Sequence, residues 1–418
     1  MQLTEFPARV RNRLTRDEII YLVAPSGNPN FGDEFIAKTW LEYLARVRPH
    51  ALVVLDCHSP GQAAIMLRRS HPRVIFVDTL WRLTLFAAGV ERHDIERPDG
   101  LDPERGWEWV TRAASNLGVA SHLDAGVDLL LRAASIHLLG GGYVNNIWPQ
   151  HLSLVTAIAA VGERSGAATY TTGQGLTPTI AGQRADILTE ALGRFTVVDV
   201  RDRASAAAFA AIEPSHSGDD AWLSIPTKAP QAAASDDIVL CLQSDLTDDF
   251  VAHGKTGVDA IAALVTALLD EWNVAGSQVT VVECIPGIDF TVPKLMGERL
   301  DGATVVPFLD VWRDGLPLGV GKTWISTRFH PHLLAAAAGD CGVAIVPHPD
   351  YYATKHQSLI DAGSRWSLIS DPEQLPSRPT AGGFPEAARR TNVERKRQLA
   401  QHIYPSRLSS RFRMPRVR

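Results

Sequence analysis

Several stretches hold residue types that could do chemistry. The densest is TWISTRFHPHLLAAAAG, Thr323 to Gly339, where an apolar run stops at Arg328, His330 and His332 and a small-residue helix follows. Arg328 offers a planar fork suited to a carboxylate or phosphate. His330 can exchange a proton near neutral pH. If the strand still runs at that point, the two side chains face the same side, being two residues apart. As a metal site the stretch is thin. An H-x-H pair needs further ligands, and Asp340 and Asp350 have no tight spacing to either His. An anion grip with a proton source is the better reading, and no metal is assigned. His332, across Pro331, falls on the opening helix as a supporting residue. A hydrogen-bonded structural His is the commoner fate of a single His taken alone.

Further candidates stand at other apparent strand ends. In GNPNFGDEFI (27–36) a Gly/Asn turn precedes a helix that opens at Asp33 and Glu34. Gly32 lets backbone come close to a ligand, and helix N-terminal N–H groups attract anions. Two carboxylates there repel a phosphate. They either cap the helix, or Asp33 meets a sugar hydroxyl or takes a proton. HLLGGGYVNNIW (137–148) places Gly141 and Gly142 after a strand with Asn145 beyond, a binding loop or a plain turn. TTGQGLTP (171–178) repeats the pattern, with Gln174 able to orient a ligand. Arg201, in VVDVRDR, stands where a strand gives way to a helix. A lone Arg in such a place more often makes a surface ion pair; a second anion-seeking residue across a cleft would change that. Lys355 opens a helix after VPHPDYYAT, against the macrodipole. It asks for an anionic partner unless it is a flexible surface Lys. GLPLGVGKTW (315–324) imitates a P-loop and fails. Five residues separate Gly315 from Gly321, and a strand follows instead of a helix. Lys322 therefore receives no nucleoside-triphosphate chemistry.

The elements that position these residues follow from periodicity. Short apolar runs (19–24, 51–57, 74–78, 135–142, 168–173, 195–200) alternate with helix-period segments. Strands that are apolar throughout indicate a parallel sheet covered on both faces. The rhythm breaks at SHSGDD and KAPQAAASDD, then resumes with runs at 238–243, 278–284, 303–308, 323–328 and 343–348. The prediction is an α/β chain with two doubly wound Rossmann-like domains facing a cleft. Residues 17–213 form the first domain, 214–237 a linker, 238–370 the second, and 371–418 a helix with a basic tail. Ligands bind outside the carboxyl ends of such strands, so the default site is the cleft.

The bulk numbers exclude some classes. With 418 residues, 45% hydrophobic and 21% charged, the chain can bury large cores. A formal charge of -5 does not mark a nucleic-acid binder. Cys57, Cys241, Cys284 and Cys341 form no C-x-x-C pair and read as buried thiols in a reducing compartment. No secretory signal pattern or bilayer-spanning run is found, which gives a cytoplasmic expectation. Arg9, Arg11, Arg13 and Arg16 open the chain, and Arg407, Arg411, Arg413, Arg416 and Arg418 close it. The basic ends read first as solvated termini, and second as weak contacts to anionic membrane.

Taken in order, the motifs resemble the polysaccharide pyruvyl transferase family. They are G-N-x-N-x-G-D-E-x-I from Gly27, the GGG after a strand, GQG-x-x-P (173–178), V-R-D (200–202), R-x-H before an Ala-rich helix, and Tyr352-x-x-Lys355. The resemblance covers about residues 17 to 365. Phe329 replaces an aliphatic residue of the family pattern, and Pro331 replaces an Ala. The resemblance implies a GT-B-like fold. It also implies transfer of the pyruvate unit of phosphoenolpyruvate onto two hydroxyls of one sugar, in a glycan or glycolipid, as a cyclic ketal with release of phosphate. It implies a site of Asp33, Arg201, Arg328, His330 and Lys355, with no cofactor. Arg201, Arg328 and Lys355 would hold the donor's carboxylate and phosphate. His330 as imidazolium would protonate its methylene carbon, and Asp33 would take a hydroxyl proton. The competing expectations are a nucleotide-sugar glycosyltransferase on the same frame and a non-catalytic glycan-binding relative.

Overall fold

Short strands, most of them apolar runs rich in Val, Ile and Leu, form two all-parallel sheets in a computed structural model. It describes residues 18–90, 101–229, 237–319, 321–369 and 371–406. The arginines of both basic ends lie outside the described residues.

The first sheet has the order β3-β2-β1-β4-β5-β6-β7. Its strands are β1 (Ile19–Val23), β2 (Leu52–Asp56), β3 (Val74–Val77), β4 (Ser135–Leu138), β5 (Ala168–Gln174), β6 (Val197–Val200) and β7 (Ser215–His216). The central strands are buried on both faces. One face packs Tyr21 and Ile136 with Trp81 and Trp109. The other packs Ile20 and Leu22 with Trp40 and Leu41. Two-sided burial is why β1 reads as a continuous apolar run with no alternation.

The second sheet has the order β12-β11-β8-β13-β14-β15. It comprises β8 (Ile238–Cys241), β11 (Val279–Val282), β12 (Thr304–Val306), β13 (Thr323–Ser326), β14 (Cys341–Ile345) and β15 (Ser367–Ile369). Between β8 and β11 lies a small hairpin of β9 (Val251–Ala252) and β10 (Lys255–Thr256). Among the described residues no helix is long and apolar enough to cross a membrane.

The strand order reverses between β1 and β4 in the first sheet and between β8 and β13 in the second. At such a switch point the flanking loops diverge and leave a crevice at the carboxyl ends of the strands. The GNPNFGDEFI turn follows β1, the GGG loop follows β4, and Arg328 and His330 follow β13. The chemistry-bearing stretches therefore stand at both crevices.

Two expectations are corrected. Residues 215–229, which read as linker, include β7, paired in parallel with β6 at the edge of the first sheet. They also include Asp219 and Asp220, at 1% and 0% exposure. Polar, Gly-rich composition mimics a linker here because these carboxylates serve buried hydrogen bonds. The closing segment is also more than a tail. Its helix, Glu386–Ile403, carries Ala400 and Ile403 into the core beside Trp40. Lys396, fully buried, bonds Asp199 at 3.1 Å and Asp220 at 2.9 Å.

Candidate active site

β13 stops at Ser326, so Arg328 and His330 do not share a strand face as the spacing suggested. Arg328 is the N-cap of the Phe329–Ala338 helix, and His330 is that helix's second residue. The Ser326 hydroxyl accepts from the Arg328 N–H, which turns the chain off the strand and into the helix.

Arg328 is buried against two carboxylates. Its Nε and Nη2 donate to Asp289 Oδ1 at 3.0 and 2.6 Å. Its Nη2 also donates to Asp245 Oδ1 at 2.7 Å. Asp245 follows β8 and Asp289 follows β11. The cysteines Cys241 and Cys284 lie beneath. Their sulfurs and an Asp289 oxygen fall within 4.8 Å of one another. No local motif marks such a cluster, because its members are far apart in the chain. It suits a metal poorly: Asp289 is already committed to Arg328 and accepts from the Cys284 and Ile285 N–H groups.

His330 Nε2 lies 3.5 Å from Asp219 Oδ1. The Nδ1 edge of the ring rests on Gly32, where a Cβ would come within 1.8 Å of it. Only glycine permits that approach between helices of the two domains. Asp33 and Glu34 divide the alternatives left by the sequence. Asn30 is the N-cap, its side chain accepting from Gly32 N–H. Glu34 turns back and accepts from Gly27 N–H at 2.6 Å, bracing the turn. Burial pushes the Glu34 carboxyl up to about 8. Asp33 faces the cleft, and burial raises its carboxyl to about 6 against the pull of His330 and Lys355.

Arg201 and Lys355 come together from opposite domains. A Cβ on Gly142 would fall 3.0 Å from Lys355 Cε and 3.1 Å from Arg201 Nη2. Arg201 lies over the Phe329 ring at 4.5 Å, and Lys355 over the Tyr351 ring at 3.4 Å. Burial, then the neighbouring Arg201, pushes the Lys355 ammonium well below its ordinary value, with Asp33 opposing. The Tyr351 hydroxyl donates to Gly142 O at 2.6 Å, which joins the GGG loop to the second domain.

Arg201, Arg328, Lys355, Asp33, His330, Gly32 and Gly142 all line one cleft of about 400 Å³. The other loop candidates brace it. Asn145 donates to Gly142 O, and Gln174 donates to Leu139 O. Gly141 pairs with the GQG loop through the Gly175 N–H. His332 supports the site as expected. Its Nδ1 lies 3.0 Å from His356 Nδ1, which ties the helix of His330 to the Thr354–Asp361 helix of Lys355. Burial keeps both rings neutral, with His356 lowered to about 4. Lys322, read as no P-loop lysine, pairs with Asp237 at 3.6 Å.

Sequence reasoning missed Asp219, Asp245 and Asp289. Asp245 and Asp289 lie in the loops that leave the carboxyl ends of β8 and β11, the region where ligand-facing groups concentrate, and that signal could have found them. It also missed the apolar side of the cleft, formed by His58, Trp148, His151 and Tyr351. His58 stacks on Trp81 at 3.9 Å.

The fold and cleft define a two-domain α/β protein of the GT-B class, with its candidate site between the domains. The family model for polysaccharide pyruvyl transferase matches residues 30–275, and the chain belongs to that family. Comparison with curated protein sequences gives no match. Among solved structures, UDP-GlcNAc 2-epimerase of Methanocaldococcus jannaschii, in complex with UDP-GlcNAc and UDP, is similar at 9% identity and a TM-score of 0.50. That match covers 92% of this chain and 99% of the other. UDP-GlcNAc 2-epimerase of Neisseria meningitidis, bound to UDP-GlcNAc, is similar at 9% identity and a TM-score of 0.48, covering 94% and 93%. At such identity the likeness concerns the fold alone.

Proposed function

We propose that this chain transfers the pyruvate unit of phosphoenolpyruvate to two hydroxyls of a saccharide or glycolipid acceptor, forming a cyclic ketal and releasing phosphate. The observation that carries the reading is the gathering of Arg201, Arg328 and Lys355 with His330 and Asp33 in one cleft. Phosphoenolpyruvate presents a carboxylate and a phosphate on adjacent atoms, which three cations suit.

His330 as imidazolium gives a proton to the methylene carbon, and the adjacent carbon becomes oxocarbenium-like. A sugar hydroxyl attacks that carbon and passes its proton to Asp33. The second hydroxyl replaces phosphate at the same carbon; its proton returns to His330, and Asp33 gives its proton to the departing phosphate, which resets both groups. Charge spreads onto the departing phosphate, so cations fixed beforehand lower the barrier more than they tighten binding. Asp33, held at about 6, is ionised at neutral pH and can accept a proton. The rate should therefore fall as pH drops through about 6. The apolar side with Trp148, His151 and Tyr351 suits the face of a sugar ring.

A phosphate-release assay with phosphoenolpyruvate across candidate acceptors, followed by mass spectrometry for the pyruvyl increment, tests the reading. In that assay His330→Ala should remain folded and bind phosphoenolpyruvate while kcat falls roughly 10²–10⁴-fold. Activity within a few-fold of wild type would remove His330 from the role.

A further inference from the structure

Four buried polar atoms meet behind the cleft with no hydrogen-bond partner among the described residues: His330 Nε2, Asp219 Oδ2, Arg201 Nε and Asp202 Oδ2. The side chains that carry them stand just beyond bonding distance of one another. His330 Nε2 is 3.5 Å from Asp219 Oδ1, and Arg201 Nη1 is 3.6 Å from Asp219 Oδ2. Arg201 Nε is 3.9 Å from Asp202 Oδ2. Buried polar groups are ordinarily paired, so such a concentration marks a working arrangement and not chance packing. Catalytic contacts are often long before substrate arrives and tighten with it.

Asp219 sits at the centre of this group. Its carboxylate is anchored through Oδ1, which accepts from the Ala221 N–H at 2.9 Å. A second cavity of about 500 Å³ opens behind it, lined by Asp202, Asp219 and Arg395. Arg201 and Phe329 line both this cavity and the cleft. Burial alone would raise the Asp219 carboxyl. The nearby His330 and Arg201 outweigh burial and hold it down at about 2. Asp219 is therefore a fixed anion at working pH. Asp33, on the Phe31–Val47 helix, is the other carboxylate that interacts with the ring.

We propose that Asp219 is the positioning residue of the transfer: it holds the Nε2–H of His330, presents Nδ1 to the cleft over Gly32, and steadies Arg201 with its second oxygen. Which imidazole nitrogen carries a proton is set by the bond the other nitrogen makes. With Nε2–H fixed on Asp219, Nδ1 is the atom that gives its proton to the donor carbon and stands bare afterwards. The same carboxylate then ties the proton source to a donor-binding cation, so both move as one unit. This inference rests on the pyruvyl-transfer reading for its kinetic part only.

Two measurements on the full chain test it. In ¹⁵N-histidine spectra recorded at alkaline pH, His330 should appear as the Nε2–H tautomer, assigned by loss of the signal in His330→Gln. An Nδ1–H tautomer would overturn the proposal whether or not the chain turns over phosphoenolpyruvate. Asp219→Asn, checked for fold by circular dichroism, should lower kcat about 10²–10³-fold while KM for phosphoenolpyruvate changes less than about fivefold. An unchanged kcat would equally overturn the proposal. If the wild type shows the Nε2–H tautomer but no turnover, the functional reading fails and the positioning geometry stands.

Discussion

Among the buried clusters of the described residues that set one cation against two aspartates, those of Lys396 and Arg328 differ in what they leave open. Lys396 with Asp199 and Asp220 is sealed, all three side chains at 0% exposure. Arg328 with Asp289 and Asp245 is sealed on one side only, because Asp245 keeps 37% exposure. The carboxylates of the sealed cluster also accept from backbone and hydroxyl donors on the loops around the site. Asp220 takes the Gly140 N–H, the Trp40 Nε1–H and the Thr172 hydroxyl. Asp199 takes the Gly173 N–H and the Ser217 hydroxyl. The sealed cluster thus fixes both glycine loops, while the open one can exchange a carboxylate for a ligand anion. Similar ionic chemistry does structural work where every lone pair is committed and binding work where one partner can be displaced.

The sharpest way to break this contrast is Lys396→Met. It leaves Asp199 and Asp220 buried without their cation and should cost about 3–5 kcal/mol in chemical denaturation. Burial alone would lower the Lys396 pKa, but Asp199 and Asp220 raise it above its ordinary value. A cation with a raised folded pKa stabilises fully below the unfolded pKa and loses that stabilisation as pH rises through the folded one. The wild-type advantage over the variant should accordingly persist through neutral pH and shrink only at strongly alkaline pH. Next comes Arg328→Ala, which should weaken phosphoenolpyruvate binding about 10²-fold in calorimetry, with a smaller loss of stability than Lys396→Met.

Asp33→Asn should act at the level of roughly 1 kcal/mol, allowing for solvent at a partly exposed group. Its folded pKa of about 6 lies above the ordinary 3.8. The ionised group is therefore a liability above about pH 6 that fades as pH falls toward 4. The variant should melt higher than wild type at pH 7.5, lose that advantage near pH 4, and be impaired in turnover. Asp245→Asn should have the smallest effect. Removing the exposed competitor for Arg328 should tighten phosphoenolpyruvate binding two- to fivefold, within the range of an exposed ion pair.

The strand ends were legible because two-sided burial writes them as apolar runs, and the Gly, Arg and His residues directly after them could be read as ligand-facing. Arg201, Arg328 and His330 read as candidates from such positions, and Asp33 and Lys355 from the helix starts that follow the turns; all five line one cleft. Their carboxylate partners were not legible. Arg328 and Asp289 are 39 residues apart, and nothing in either local sequence announces the pairing. Asp219 and Asp220 sit in a Ser/Gly/Asp stretch whose composition is that of a solvated loop. Between 79 and 131 no short apolar strand run marks the fold, although the chain forms helices at Thr79–Ala88, Gly106–Ser115 and Asp124–Leu131. Lys396 lies among charges in NVERKRQLAQ. Only its spacing with Val393, Ala400 and Ile403, all on the buried face of the helix, distinguishes it.

Titration calorimetry of the wild-type chain with phosphoenolpyruvate and, separately, with UDP-sugars tests the central claim most directly. The account predicts phosphoenolpyruvate binding that Arg201→Ala weakens at least about tenfold, with no competition from UDP-sugar. Binding of UDP-sugar in this cleft with none of phosphoenolpyruvate would contradict it.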